Sequence, residues 1–145
     1  MVSFGVMRSE GTVRVGRHAV WELHAHLVFV TKYRRTVFTS DILDSCEHIM
    51  KNVCDDFGCT LDSFNGEGDY VHVLVTFPAT VPLSKLVNSL KGVSSRYLRR
   101  QYPDQITQAL HKGHLWSRSY YAGTTGAPAL TTVENYIRNQ KRPTG

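Results

Sequence analysis

The chain has 145 residues, 41% of them hydrophobic, and a formal net charge of +5 at pH 7. That length supports one domain with its own core and is too short for two. No stretch approaches the roughly 18 consecutive apolar residues that a spanning helix needs. The segment Met1 to Val20 mixes Arg8, Glu10, Arg14 and Arg17 with glycines instead of carrying the apolar block of a secretion signal. A cytoplasmic protein with no membrane partner is the expectation. Cys46, Cys54 and Cys59 are odd in number and lack metal-finger spacing, which fits free thiols in a reducing compartment. Charge is distributed unevenly: Met1 to Asp69 carries ten acidic and seven basic residues, whereas Tyr70 to Gly145 carries ten basic residues against Asp104 and Glu134 alone. A polyanion bound by the second half follows from that asymmetry.

In chain order, Trp21 to Thr31 alternates Leu23, Ala25, Leu27 and Phe29 with Glu22, His24 and His26, the period of a strand. A basic loop follows over Lys32 to Phe38. Thr39 or Ser40 can cap a helix whose apolar positions are Ile42, Cys46, Ile49, Met50, Val53 and Phe57, and Gly58 ends it. Thr60 to Phe64 reads as a weaker strand, with Asn65-Gly66 and Gly68 as turn residues before a strong strand over Tyr70 to Phe77. Beyond Pro78 and Pro82, the positions Leu83, Leu86, Val87, Leu90, Val93, Tyr97 and Leu98 mark a long helix, with Lys85, Lys91, Arg96, Arg99 and Arg100 on its other side. A short helical or irregular link after Pro103 leads to a last strand over Leu115 to Ala122. Gly123 to Pro128 is a flexible connector, and a final helix runs from about Leu130 to Lys141. The order β-α-β-β-α-β plus one helix predicts an α+β, ferredoxin-like open antiparallel sheet with two helices on one face and an additional C-terminal helix.

Alternation in the Tyr70 to Phe77 strand puts Tyr70, His72, Leu74 and Thr76 on one face and Val71, Val73, Val75 and Phe77 on the other. The aliphatic face belongs under the helices, so His72 projects from the open face, where its imidazole can serve as a metal ligand. His24 and His26 share one face of the first strand, as a substitute ligand or general base or as hydrogen-bonding groups within the sheet. Tyr136 and Gln140 lie four residues apart and therefore stack on one side of the final helix. A phenol there can attack phosphorus while an amide carbonyl ligates a metal without adding charge; both residues can equally belong to a packing face. Lys32, Arg34 and Arg35 cluster around Tyr33, a mixture suited to phosphates and an exposed base.

The chain resembles the small single-tyrosine transposases of the HUH nuclease superfamily, enzymes of minimal bacterial insertion sequences that move as single-stranded DNA. The resemblance is carried in order by His26-Leu27-Val28-Phe29-Val30-Thr31-Lys32-Tyr33-Arg34-Arg35, by Gly66 through Val75, by Lys85 through Arg96, by Leu115-Trp116-Ser117-Arg118-Ser119-Tyr120-Tyr121 and by Tyr136-Ile137-Arg138-Asn139-Gln140. It implies a domain over residues 20–142 with the tyrosine helix at about 130–141, preceded by a flexible segment over residues 1–19. It also implies a homodimer whose C-terminal helices are often exchanged, acting on hairpin-forming single-stranded DNA. Tyr136 would attack a DNA phosphate, forming a 5′-phosphotyrosine intermediate that a second strand end resolves. The metal, Mg2+ or Mn2+, would be held by two histidines flanking a hydrophobic residue and by a glutamine; His72 matches the second histidine and Gln140 the glutamine. Lys32, Arg34, Arg35, Lys85, Lys91 and Arg96 become the DNA-binding candidates.

At the first histidine the chain has Tyr70 instead. A phenol with an ordinary pKa near 10 is mostly neutral at pH 7 and a poor ligand for a hard cation. Three arrangements are compatible: Asp69 or Glu67 helps replace the ligand, Tyr70 binds as phenolate, or the protein binds DNA hairpins without cleaving them. An RNA-recognition surface is a weaker alternative, because the paired aromatic motifs on central strands are missing.

Overall fold

A computed structural model of the chain describes residues 14–15, 20–21, 23–111, 113–123 and 130–140, with the backbone alone for 14–15, 20–21 and 130–133. The elements are β1 (Arg14–Val15), β2 (Val20–Trp21), β3 (Leu23–Val30), α1 (Ser40–Asp56), β4 (Thr60–Glu67), β5 (Tyr70–Phe77), α2 (Leu83–Gln101), α3 (Pro103–Leu110), β6 (Tyr121–Gly123) and α4 (Leu130–Arg138). β1 pairs with β2, and the main sheet has the order β4-β5-β3-β6 with every neighbour antiparallel. This is the α+β arrangement that the order of predicted elements implies. The predicted flexible N-terminal segment and the 123–128 connector fall almost wholly outside the described residues.

The faces of β5 separate as the alternation requires. Val71, Val73, Val75 and Phe77 are buried with Ala25, Leu27 and Phe29 of β3 beneath Ile42, Met50, Leu86, Val87, Leu90 and Leu98 of α1 and α2. Fully burying each large aliphatic side chain stabilises the fold by about 1.5–3 kcal/mol relative to exposure. α1 starts where Thr39 Oγ1 accepts the amide hydrogen of Ile42 at 3.2 Å, and it stops at Gly58, whose φ of +71° suits a residue without Cβ. Cys46, Cys54 and Cys59 are free and buried. Burial, with Glu47 beside it, pushes the Cys46 thiol up to about 12, and burial with Cys59, Asp55 and Asp62 nearby does the same for Cys54.

Two predicted boundaries move. Asn65-Gly66 is no turn: β4 continues through it, pairing Asn65 with His72 and Gly66 with Val71, and the chain reverses at Gly68-Asp69. Gly66 is small for a packing reason, since a Cβ there would lie 2.8 Å from Leu43 Cδ2 and 2.9 Å from the Tyr70 carbonyl. The strand expected over Leu115 to Ala122 is broken as well. Tyr121–Gly123 pairs with β3, whereas Trp116 meets Thr31 in a single bridge whose register is two residues out of step. Residues 118–120 bulge between those contacts, after Ser117 has donated its N–H to the Val30 carbonyl at 2.7 Å, because Trp116 turns inward, packing on Phe29 and Phe38 and donating its indole N–H to Ser94 Oγ at 3.0 Å.

The loop after β3 is strained. Tyr33 and Arg34 have φ of +59° and +55°, and left-handed backbone costs a non-glycine residue about 1–2 kcal/mol. Contacts on both sides hold it there: Lys32 N–H donates to the Leu115 carbonyl at 2.9 Å, and Thr31 donates its N–H to the Asp69 carbonyl at 2.9 Å and its hydroxyl to the Arg35 carbonyl at 2.7 Å. The loop thereby turns Tyr33 outward, half exposed, and Arg34 inward.

Gly92, exposed in the middle of α2, has nothing within 4 Å of the place a Cβ would occupy. Gly92→Ala should therefore raise unfolding stability by about 0.8–1 kcal/mol through helix propensity alone, measured as a higher denaturant midpoint with an unchanged slope.

Candidate active site and polyanion interface

α4 lies on the open face of this chain's own sheet, where Ile137 closes a small cluster with Val28 and Val30, and Tyr70, Tyr121 and Tyr136 pack around it. The final helix, expected to reach about Lys141 with Tyr136 and Gln140 on one side of it, is shorter: α4 ends at Arg138, so Gln140 lies just past the helix, where its Nε2 donates to the Tyr136 carbonyl at 3.2 Å. Ser119 joins their side chains: its hydroxyl lies 3.0 Å from Tyr136 Oη and donates to Gln140 Oε1 at 3.2 Å. Ser119 has a single hydroxyl proton, which it can give to the Gln140 amide oxygen or to Tyr136 Oη, and giving it to Tyr136 favours the phenolate. Ser117 donates to the same amide oxygen at 3.4 Å. Burial raises the Tyr136 pKa, and the Ser119 hydrogen bond opposes that shift.

Ser117 and Ser119 carry no motif of their own in the sequence. They reach the tyrosine helix through the bulge, which is held from the other side by Lys91, whose ammonium donates to the carbonyls of Ser117 at 2.8 Å and Arg118 at 3.2 Å. Burial lowers the Lys91 pKa.

On β5, His72 is brought against His26 of β3, with His26 Nδ1 at 3.2 Å from His72 Nε2 and ring centroids 5.4 Å apart. Burial, and then His26, lower the His72 pKa, so His72 is neutral at pH 7 with a lone pair to offer. His24 Nδ1 lies 2.9 Å from Thr76 Oγ1. Tyr70 moves the other way: burial and the nearby Glu67, Asp69 and Glu134 raise its pKa, which keeps the phenol protonated. Of the two carboxylates offered as replacements for the missing histidine, Asp69 is ion-paired with Arg34 Nε at 2.9 Å. Glu67 pairs with Tyr70 across the β4–β5 ladder. Among the described residues, no three His, Cys, Asp or Glu side chains converge as a metal site, and neither Tyr136 nor Gln140 hydrogen-bonds to Tyr70 or His72.

The basic residues divide. Arg34, with only 13% of its side chain exposed, is spent on Asp69. Lys85 and Arg35 are exposed on the surface. Lys32, Lys91 and Arg96 line a groove of about 960 Å³ together with Arg99, Arg100 and Arg118, and among the described residues no carboxylate lines it. Arg99 also braces the groove's end by donating to the His111 carbonyl at 3.0 Å. A second hollow, bounded by Tyr33, Ser119 and Gln140, shares Lys32, Ser117 and Arg118 with this groove. The cationic groove and the hollow that holds Ser119 and Gln140 are thus adjoining spaces.

An antiparallel sheet backed by two helices, with a tyrosine helix across its open face and a cationic groove at its side, defines an α+β domain. Residues 19–140 match the family described as "Transposase IS200 like", and the chain belongs to that family, whose members are DNA-strand transferases. It is similar to the ISDra2 transposase TnpA of Deinococcus radiodurans, 28% identical over 128 residues covering 88% of this chain and 91% of that protein. It is also similar to the transposase for insertion sequence element IS200 of Salmonella typhimurium, 28% identical over 123 residues covering 85% and 80% of the two chains. A crystal structure of a protein assigned as a transposase in Deinococcus radiodurans superposes with a TM-score of 0.82 at 29% identity, over 90% of this chain and 99% of that one. A tyrosine transposase bound to a REP hairpin shares the fold at TM-score 0.51 and 11% identity, over 88% and 69% of the two chains. Among the described residues, no helix is long and apolar enough to cross a membrane.

Ser119→Ala removes the hydrogen bond that opposes the upward shift of Tyr136. The Tyr136 pKa should rise further, read by carbon-13 NMR of the tyrosine Cζ; an unchanged midpoint would show that Ser119 does not act on the phenol, and a lower one that Ser119 accepts the phenol's proton instead of stabilising the phenolate.

Proposed function

We propose that this transposase cleaves and rejoins hairpin-bearing single-stranded DNA through a 5′-phosphotyrosine intermediate on Tyr136. The observation that carries this reading is the continuity between the six-cation groove and the hollow at Ser119 and Gln140. The groove's charge suits a phosphate backbone, and its salt dependence should follow from counterion release. The hairpin preference is taken from the family resemblance and from the hairpin-bound protein that shares the fold. In the reaction, Tyr136 Oη forms a bond to phosphorus as the bond to the 3′-oxygen breaks, and that oxygen leaves as a 3′-hydroxyl. The phenolic proton has a path through Ser119. The attack of a second 3′-hydroxyl reverses the exchange and frees the tyrosine, so no nucleotide cofactor is required.

A divalent ion, Mg2+ or Mn2+, would be held at His72, whose imidazole is neutral and half-buried, and the resemblance implies the uncharged carbonyl of Gln140 as a further donor, which in this chain accepts from Ser117 and Ser119. When bound, such an ion would polarise the phosphate. Tyr70 does not fit, being a protonated phenol among acidic neighbours. That misfit favours a second reading, in which the protein binds hairpins without cutting them. A homodimer and a cytoplasmic setting complete the proposal. The helix α4 either rests on its own sheet, as in this chain, or is exchanged with a partner.

The test is incubation with hairpin-bearing single-stranded DNA and Mn2+. A covalent protein–DNA species should form with the wild type and vanish in Tyr136→Phe while hairpin affinity is retained. Hairpin binding with no adduct from the wild type would select the second reading. Arg118→Ala or Arg100→Ala should weaken binding and reduce the salt slope by about one each, and sedimentation should give a dimer at micromolar concentration.

A further inference from the structure

We propose that His26 supplies the imidazole that position 70 lacks, so that the divalent ion is held between His26 of β3 and His72 of β5, across two strands instead of along one. This rests on the metal-dependent reading above and changes which residues form its site.

The register places the two side chains diagonally on the open face, since His26 is opposite Leu74 and Val28 is opposite His72. Their facing nitrogens, Nδ1 of His26 and Nε2 of His72, are 3.2 Å apart. Two ligands at about 2.1 Å from one ion stand about 3.0 Å apart when cis on an octahedron and about 3.4 Å apart on a tetrahedron. The observed separation falls between those values. It is equally the length of a hydrogen bond in which a single proton sits between the two nitrogens; an ion about 2.1 Å from both would lie beside that line and not on it, so its binding would displace the shared proton and turn both lone pairs toward the ion.

The remaining chemistry agrees. His72 is neutral at pH 7, and Tyr70 is kept protonated by burial and by Glu67, Asp69 and Glu134, so the two imidazoles are the better donors on this face. Water and a DNA phosphate oxygen can complete the shell. Two nitrogen donors shift preference from Mg2+ toward Mn2+ and the later divalent metals, which take imidazole more readily.

The probe is Mn2+ added to the full-length protein without DNA. His26→Asn keeps a polar atom near the Nδ1 position and His72→Gln one near Nε2, so both variants retain a hydrogen-bonding partner while removing a strong ligand. Melting without metal establishes that each is folded. Electron-spin-echo spectroscopy of the bound ion should count two coupled imidazole nitrogens in the wild type and one in either variant, with affinity falling tenfold or more in both. Loss of one nitrogen in His72→Gln with both couplings unchanged in His26→Asn would overturn the proposal while leaving His72 as a ligand. No imidazole coupling in the wild type would overturn both the proposal and the metal-dependent reading it rests on.

Discussion

β3 and β5 pair over eight consecutive residues, Leu23 opposite Phe77 through to Val30 opposite Tyr70, and the rest of the molecule depends on that register. A slip of one residue in either strand would reverse which side chains face the helices. Val71, Val73 and Val75 would go to the open face and His72 into the aliphatic core, at a cost of about 1.5–3 kcal/mol for each large apolar side chain exposed and more for the imidazole. The core and the chemistry are therefore set together. What packs α1 and α2 against one side also presents His26, His72 and Tyr70 on the other.

The second dependence is on Trp116. Its indole is buried against Phe29 and Phe38, and its N–H is satisfied by Ser94. A buried indole lacking that partner would carry an unpaired donor. Fixing Trp116 at Thr31 while Tyr121 pairs with Val28 forces the intervening residues out of the ladder, and the bulge so formed carries Ser117 and Ser119 to Gln140 and Tyr136. Lys91 and Arg99, which a tally of charge would assign to a ligand, are partly engaged in bracing loop carbonyls. Six cations line the groove, yet fewer are unencumbered.

Much of this was legible from side-chain periodicity. Alternation at two residues separated Val71, Val73 and Val75 from His72, and the helical period with Thr39 and Gly58 bounded α1 almost to the residue. Spacing of four put Tyr136 near Gln140, although α4 ends at Arg138 and it is Ser119 that joins their side chains. What stayed hidden depends on strand pairing or on competition between partners. Nothing local says that His26 meets His72, since that requires the register of two strands 46 positions apart. Arg34 looked like its neighbours Lys32 and Arg35 until the left-handed backbone turned it toward Asp69. Asn65-Gly66 has the composition of a turn, but the space beside Leu43 requires a glycine within the strand. Ser119 is a serine among serines and tyrosines, and only the bulge distinguishes it.

The three cysteines bear on how the molecule can be observed. With thiol pKa values near 12 at Cys46 and Cys54, only about one sulfur in 10⁵ at each of these positions is a thiolate at pH 7, and both are sealed beneath α1. A thiol reagent can modify them only when the helix layer lifts from the sheet. Their labelling rate is thus an internal clock for that opening, independent of DNA, metal or the tyrosine, and it reports how often the layer on which the histidine face is built comes apart.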